Sequence, residues 1–399
     1  PFADDGKTAV HGLRRALAEV LASVGANADQ PQEISRQFGL DKTLAWRISR
    51  VVREEDVWEA VQHIPRRPSI RLFVNAMSKH GATPERVETV WQALGEFERF
   101  IEVHSGDRET LEMMVSAAAK RSSGKRMETF RKMGFQANSA IWGVQARVQI
   151  SLHLMAPSKI DPNTLSMSTI AGLSDFRRLR PDVPWAVASM SQWDRQAGPI
   201  PMWRPNALDP DVAEGEPPLL KEFCSHPLPE MQTYQERTNL VRFMLKEGPV
   251  GNTAAATVIF GWNYPSVASQ YQGYPGEDGE HGVMLTTPVE LLVHDLFIHR
   301  SLDFAFNPTA HLYSQLPGGP MYPAMGTKAG ILPVPDDVTD LGAGPPDTTT
   351  PEMPRYREMV EFAIGHAGYE LNEFQGYRFR VRYPPIPTLG TMRHALKPR

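Results

Sequence analysis

The spacing of hydrophobic residues changes once along this chain. Up to about residue 118, apolar positions recur three and four residues apart, as at Val10, Leu13 and Leu17, which is typical of a helix with one buried face. From Val144 to Leu154 they alternate with polar residues, which predicts a long strand with one face in water. We therefore expect an α+β protein, with an all-helical part followed by a β-rich, mainly antiparallel part.

A basic segment separates the two patterns. Residues 120–132 hold six basic residues and one acidic residue around a Ser-Ser-Gly triplet, and this composition favours an irregular connection. The predicted division is a helical domain at 1–118, a basic linker at 119–137 and a β-rich domain with a few helices at 138–399. Nine prolines and six glycines between residues 305 and 353 predict a long Pro/Gly-rich loop. Further strands are predicted at 254–262 and 377–383, and a short helix at 355–367.

Composition excludes several classes of protein. The single cysteine, Cys224, rules out a disulfide framework within the chain and a cysteine-rich zinc site. The first residues lack the apolar stretch of a signal peptide, and no run of about 18 apolar residues predicts a membrane span. We expect a cytoplasmic protein without membrane contact. Residues 1–160 carry 23 Lys and Arg against 19 Asp and Glu, whereas the remainder is acidic, which agrees with a nucleic-acid-facing first part.

The segment from Pro31 to Arg53 carries the most specific pattern. Ser35 is a small residue in a first short helix, and Gly39 follows four residues later, where its conformational freedom allows a sharp turn. Asp41 is placed to cap a second helix. A set of apolar residues would fix the angle between the two helices. These residues are Ile34, Phe38, Leu40, Ala45 and Ile48.

This segment resembles the helix-turn-helix of bacterial DNA-binding transcriptional regulators, over about 20 residues. The resemblance implies that the second helix enters the major groove of DNA. The residues expected to face DNA are Lys42, Thr43, Trp46, Arg47 and Arg50. It also implies a homodimer or higher homo-oligomer, because one short helix supplies little affinity by itself. The β-rich part would then bind an effector or build the oligomer.

Two alternatives stay open at this level. The chain is alternatively a structural or assembly protein, in which the helical module makes protein contacts within a homo-oligomer. Arg378, Arg380 and Arg382 alternate along the last predicted strand, so they share one face and need acidic partners or a bound anion. They are candidates for a partner surface or for the site of a small anionic effector.

The second alternative is a metal-dependent enzyme centred on His294 and His299. Together with Asp295 they provide a donor set that zinc or iron accepts, and His281 and His311 flank the segment. The spacing matches no established motif, so a structural histidine cluster is favoured over a metal site. We predict no catalytic residue and no cofactor. A non-enzyme is favoured, and Cys224 is interpreted as a buried or incidental thiol.

Overall fold

The computed structural model describes residues 1–118, 123–191, 193–194, 198–199, 206–213, 216–237, 240–316, 330–334 and 337–399. These residues form two compact units, Pro1–Met127 and Glu128–Arg399. The first unit is helical and the second consists mainly of antiparallel strands, so the predicted α+β class is confirmed. None of the helices among these residues combines the length and apolar character needed to cross a bilayer.

Short amphipathic helices build the N-terminal unit. Prolines stand in the first turns of three of them, at Pro31, Pro68 and Pro84, where the missing N–H would have no partner in any case. The helices are α1 (Phe2–Ser23), α2 (Pro31–Phe38), α3 (Lys42–Arg53), α4 (Val57–His63), α5 (Arg67–Lys79), α6 (Pro84–His104) and α7 (Arg108–Ala118). Their buried faces share one core, in which α1 packs against α6.

An eighth helix, α8 (Ser123–Trp142), occupies most of the segment that the sequence suggested as a basic linker. Half of its residues are good helix formers, such as Lys, Arg, Met and Ala. One face also finds partners within the C-terminal unit, because Arg131 Nε donates to the carbonyl of Arg382 at 3.0 Å and the Phe135 ring lies 5.5 Å from that of Tyr383. Of the predicted linker, residues 119–122 lie outside the described residues.

The C-terminal unit is built from strands and one further helix. The helix is α9 (Tyr356–His366). The strands are β1 (Val144–Pro157), β2 (Thr164–Arg178), β3 (Trp185–Ser191), β4 (Trp193–Asp194), β5 (Gly198–Pro199), β6 (Asn206–Ala207), β7 (Met231–Arg237), β8 (Leu240–Leu245), β9 (Ala256–Ser269), β10 (Asp278–Leu285), β11 (Val289–His299), β12 (Thr309–Ser314), β13 (Val338–Ala343), β14 (Phe374–Arg382) and β15 (Thr388–Ala395).

A seven-stranded sheet organises this unit, in the order β13-β14-β11-β1-β2-β9-β6. Its strands are antiparallel except for the β1–β11 pair. A separate three-stranded sheet has the order β10-β15-β12, another the order β3-β8-β7, and β4 pairs with β5. The strands predicted at 144–154, 254–262 and 377–383 and the helix predicted at 355–367 are confirmed. The predicted loop at 305–353 contains β12 and β13, and residues 317–329 and 335–336 of it lie outside the described residues.

Strand β11 is buried on both faces, and this fixes where its polar residues point. Because side chains alternate along a strand, Leu292 and Leu296 enter the core shared with β10, β12 and β15, whereas Val293 and Phe297 enter the core shared with α9. His294 therefore points to the same side of the sheet as Leu292 and Leu296. Asp295 points to the side of Val293 and Phe297. Two neighbouring residues thus belong to two different layers of the molecule.

Candidate functional site

The turn between α2 and α3 has the local geometry that its sequence encodes. Gly39 lies at φ 64°, in the left-handed region, which costs a residue with a Cβ about 1–2 kcal/mol. Ser35 Oγ donates to the Leu40 carbonyl at 2.8 Å and so ties the end of α2 to the turn. The Asp41 carboxylate accepts the backbone N–H of Thr43 at 2.8 Å and of Leu44 at 3.3 Å. These bonds, led by that from Leu44, hold the pKa of Asp41 below its ordinary value.

The outer face of α3 consists of the residues predicted to contact DNA. Its inner face is buried through Leu44, Ala45 and Ile48 against α1, α2 and α4. The exposed residues on the other side are Lys42, Thr43, Trp46, Arg47 and Arg50. The sequence therefore brings the five side chains together on one solvent-facing surface, which we call the α3 face.

Charge on the α3 face is only partly compensated. Arg50 pairs with Glu54 at 2.7 Å, one turn later on the helix. Lys42 and Arg47 form no ion pair with any residue that the structure describes. An exposed pair such as Arg50–Glu54 contributes at most about 1 kcal/mol, so Arg50 can exchange Glu54 for another anion.

Trp46 and His63 give the α3 face an aromatic edge. The two rings meet edge-on with 5.2 Å between their centroids, and Trp46 remains 46% exposed. Burial lowers the pKa of His63, and the charges of Arg50 and Arg47 act in the same direction. His63 is therefore neutral at neutral pH and offers a hydrogen-bonding ring without a charge.

Arg66 extends the positive surface and was missed by the sequence prediction. It lies in the connection between α4 and α5, and its charge, like that of Arg47, lowers the pKa of Arg108 in addition to the effect of burial. Arg66 and Arg47 therefore lie within electrostatic range of the same group. The available signal was the Arg-Arg pair between Pro65 and Pro68.

A cavity of about 500 Å³ lies beside this connection and is lined by charged and apolar residues. Both Arg67 and Arg108 in its wall already have partners, because Arg67 forms a bidentate pair with Glu98 and Arg108 Nε bonds to Glu112 at 3.1 Å. Arg108 Nη2 also donates to the carbonyls of Val61 and Ile64, both at 2.8 Å. These contacts hold the start of α7 against the end of α4.

The three arginines of β14 do not form a single anion-binding surface. Arg378 is buried and makes a bidentate pair with Asp295, at 2.9 and 2.7 Å. Burial opposes its charge, but the hydrogen bonds to Asp295 keep the pKa of Arg378 above its ordinary value. Arg380 pairs with Glu352 at 2.6 Å, and Arg382 is exposed. The prediction of acidic partners thus applies to two of the three.

The three candidate metal ligands do not converge. His294 and Asp295 point into opposite layers. His299 lies at the end of β11 with its ring 4.9 Å from that of Tyr369. Among the described residues, no group of three or more His, Cys, Asp or Glu side chains is arranged to hold a metal ion. The structural histidine cluster favoured from the sequence therefore fits this region better than the alternative of a metal site at these three residues, because His294 and Asp295 are adjacent on a strand and lie on opposite faces.

His294 belongs instead to a buried group of four imidazoles. Its ring lies 5.3 Å from that of His153, which lies 5.3 Å from that of His281, and the rings of His281 and His394 stack at 5.1 Å. The flanking His281 is thus a member, whereas His311 lies apart, against Tyr313. No local sequence pattern pointed to His153 and His394, because pairing between strands far apart in the chain brings them here. We call the four residues the histidine cluster.

Cys224 is a buried thiol, and its Sγ lies 3.6 Å from the Ile259 carbonyl. Burial raises the pKa of this thiol, which disfavours the reactive thiolate. His226, its neighbour in sequence, is exposed. The adjacent residues therefore do not form a nucleophile and base.

In comparisons with known proteins, no family model, no curated protein and no solved structure matches this chain.

Proposed function

We propose that this chain is a DNA-binding transcriptional regulator that contacts DNA through the α3 face. The observation that carries the proposal is the exposure of Lys42 and Arg47 on a capped helix, without ion pairs to described residues. Two uncompensated cations on a surface with exposed hydrogen-bonding groups suit a polyanion. An α-helix of this kind fits the major groove.

Each residue of the α3 face has a role in this proposal. Arg47 lies on the middle of the helix and is suited to a bidentate contact with a guanine edge. Lys42 and Thr43 stand in the first turn, where the ammonium and hydroxyl groups of their side chains can contact phosphate. Arg50 exchanges Glu54 for phosphate. Arg66 contacts the DNA backbone beside the groove, where it supplies affinity without sequence preference.

The unit Glu128–Arg399 completes the proposal as the part that binds an effector or builds a homo-oligomer. A second copy of α3 is needed because a single short helix binds weakly, and two half-sites one helical turn apart bind much more tightly. If the chain does not bind DNA, the alternative proposal is an assembly protein in which the α3 face contacts another protein.

The test measures the affinity of the full chain for mixed-sequence duplex DNA at two salt concentrations. Binding is expected to weaken as salt rises, because cations on the protein displace counterions from phosphate. Arg47→Ala is expected to weaken binding by about 1–3 kcal/mol if the contact is to a base edge. Arg47→Lys keeps the charge but loses the planar fork, so it separates base recognition from phosphate binding.

Arg99→Ala is the matched control. Arg99 is an exposed arginine of the same unit but lies on α6 and pairs with Glu96 at 2.9 Å. Its removal is expected to leave the affinity unchanged. The proposal is refuted if the chain does not bind DNA at low salt, or if Arg47→Ala has no larger effect than Arg99→Ala. Circular dichroism confirms that each variant keeps its helices.

A further inference from the structure

The histidine cluster lies between two separate sheets of the C-terminal unit. His153 and His294 come from the seven-stranded sheet, and His281 and His394 come from the β10-β15-β12 sheet. All four residues are at least nine-tenths buried, and His294 has no exposed surface. Packing at the cluster is tight, because a methyl group at Gly279 would overlap the His394 ring. A charged ring here has no room for a hydration shell.

The partners of the cluster are uncharged. His153 shares hydrogen bonds with Ser151 at 3.1 Å and Thr169 at 3.3 Å, and His394 Nδ1 donates to the Ala395 carbonyl at 2.8 Å. Neither nitrogen of His294, nor Nε2 of His281, makes a hydrogen bond of good geometry with a described residue. Backbone carbonyls of His281 and Ser151 near His294, and that of Ala395 at His394, favour the protonated rings, but burial opposes protonation more strongly.

Charged groups near the cluster lie on β10 and β15. Asp278 and Glu280 both pair with Arg393, at 3.3 and 3.5 Å, so this arginine offsets one of their two negative charges. Asp278 raises the pKa of His394 by less than burial lowers it. From β1 and β2, the groups bonded to the cluster are the hydroxyls of Ser151 and Thr169. Strand β11 contributes His294 to the cluster, whereas its Asp295 points to the opposite face of the sheet and pairs with Arg378.

These surroundings keep the cluster neutral in the folded protein. Burial lowers the pKa of His153 to about 3 and that of His294 to about 4. Burial also lowers the pKa values of His281 and His394, and for His281 the neighbouring imidazoles add to the effect. An exposed histidine takes up a proton near pH 6.5. A form in which the cluster is buried and a form in which it is exposed to water therefore differ in proton binding only below about pH 6.5.

We propose that the histidine cluster is an acid-sensitive switch, in which proton uptake releases the β10-β15-β12 sheet from the seven-stranded sheet. The two sheets share no strand pairing among the described residues. Side-chain packing, together with hydrogen bonds such as that from Gln149 Nε2 to the Met284 carbonyl at 2.9 Å, holds them together. Hydrogen bonds between strands hold each sheet by itself. Separation hydrates the four rings and uncovers apolar residues such as Leu292 and Met392.

The direction of the pH effect follows from the lowered pKa values. Above about pH 6.5 neither form binds these protons, and the opening equilibrium does not depend on them. Below that pH the open form binds protons that the closed form does not bind. Each histidine therefore raises the equilibrium constant for opening about tenfold per pH unit. For His153 and His294 this continues down to their folded pKa values, near pH 3 and 4.

Hydrogen exchange of the full chain, measured by mass spectrometry between pH 7.5 and 4.5 and corrected for intrinsic rates, tests the proposal. Peptides from β10, β12 and β15 are expected to show constant protection above pH 6.5 and to lose it steeply below, before peptides from β1 and β2 do. In His294→Phe, which replaces the imidazole by an apolar ring that cannot bind a proton, the slope is expected to fall by about tenfold per pH unit.

Two further variants make the result decisive. His153→Gln keeps a polar group toward Ser151 and is expected to reduce the slope in the same way, which covers the case in which His294→Phe does not fold. His366→Gln removes an exposed histidine of α9 in the same unit and is expected to leave the profile unchanged. The proposal is overturned if the cluster variants keep the wild-type slope, or if all strands lose protection together.

Discussion

Removal of the Asp295 carboxylate is expected to destabilise the C-terminal unit strongly. Asp295 has no exposed surface and the side chain of Arg378 is only 6% exposed. In Asp295→Ala, the Nε and Nη2 atoms of Arg378 lose their carboxylate acceptor. The Nη1 atom keeps its hydrogen bond to the Thr349 carbonyl at 2.7 Å. The Tyr356 hydroxyl, which donates to Asp295 at 2.8 Å, also loses its partner. A buried cation left unpaired in this way costs about 3–5 kcal/mol.

Equilibrium unfolding in urea, followed by circular dichroism and tryptophan fluorescence, measures this loss. Arg380→Ala is the matched control, because Arg380 lies two residues along the same strand and pairs with Glu352 at a site 36% exposed. Its free energy of unfolding is expected to change by about 1 kcal/mol or less. The double replacement Asp295→Leu with Arg378→Met is expected to recover much of the loss. A cost for Asp295→Ala no larger than that of the control refutes the reasoning.

Three further changes follow from local geometry. Gly39→Ala is expected to destabilise the N-terminal unit by about 1–2 kcal/mol, because alanine is strained at φ 64°; Gly95→Ala, in open space on α6, is expected to stabilise it by about 0.5–1 kcal/mol, and equal urea midpoints would contradict both. The new methyl group in Gly172→Ala would overlap the Val258 carbonyl, so the free energy of unfolding is expected to fall by about 1–3 kcal/mol. An unchanged urea midpoint would count against this prediction. Cys224 is expected to resist a thiol reagent at neutral pH until urea unfolds the chain, which a colorimetric thiol assay checks; rapid native labelling would show an accessible thiolate.

Strand β1 shows how far a local pattern predicts structure. The alternation from Val144 to Leu154 identified the strand, and its first half has one partly exposed face as expected. The second half is buried on both sides, including Ser151 and His153. The covering strand β10 is far away in sequence and pairs with β15 rather than with β1. Nothing in the pattern of β1 itself contains that information.

Strand β14 carries the same lesson for charge. Alternation correctly placed its three arginines on one face, but their surroundings change along the strand. At one end, Tyr356 of α9 and the Thr349 carbonyl enclose Arg378 together with Asp295. At the other end, Arg382 remains exposed. The identity of a charged residue sets its need for a partner, whereas tertiary packing decides whether that partner is a neighbouring carboxylate or a molecule in solution.

The segment around α2 and α3 differs because its signals are local. The left-handed Gly39 and the cap at Asp41 depend on residues within one turn of each other, so the sequence alone predicted them.

The two units also use charge differently. In the C-terminal unit, the arginines Arg378 and Arg380 are satisfied by carboxylates of the same unit. On the α3 face, Lys42 and Arg47 have no such partner among the described residues. An anionic partner therefore gains more from Lys42 and Arg47 than from Arg378 and Arg380, since it displaces no ion pair with a described residue when it binds the first two.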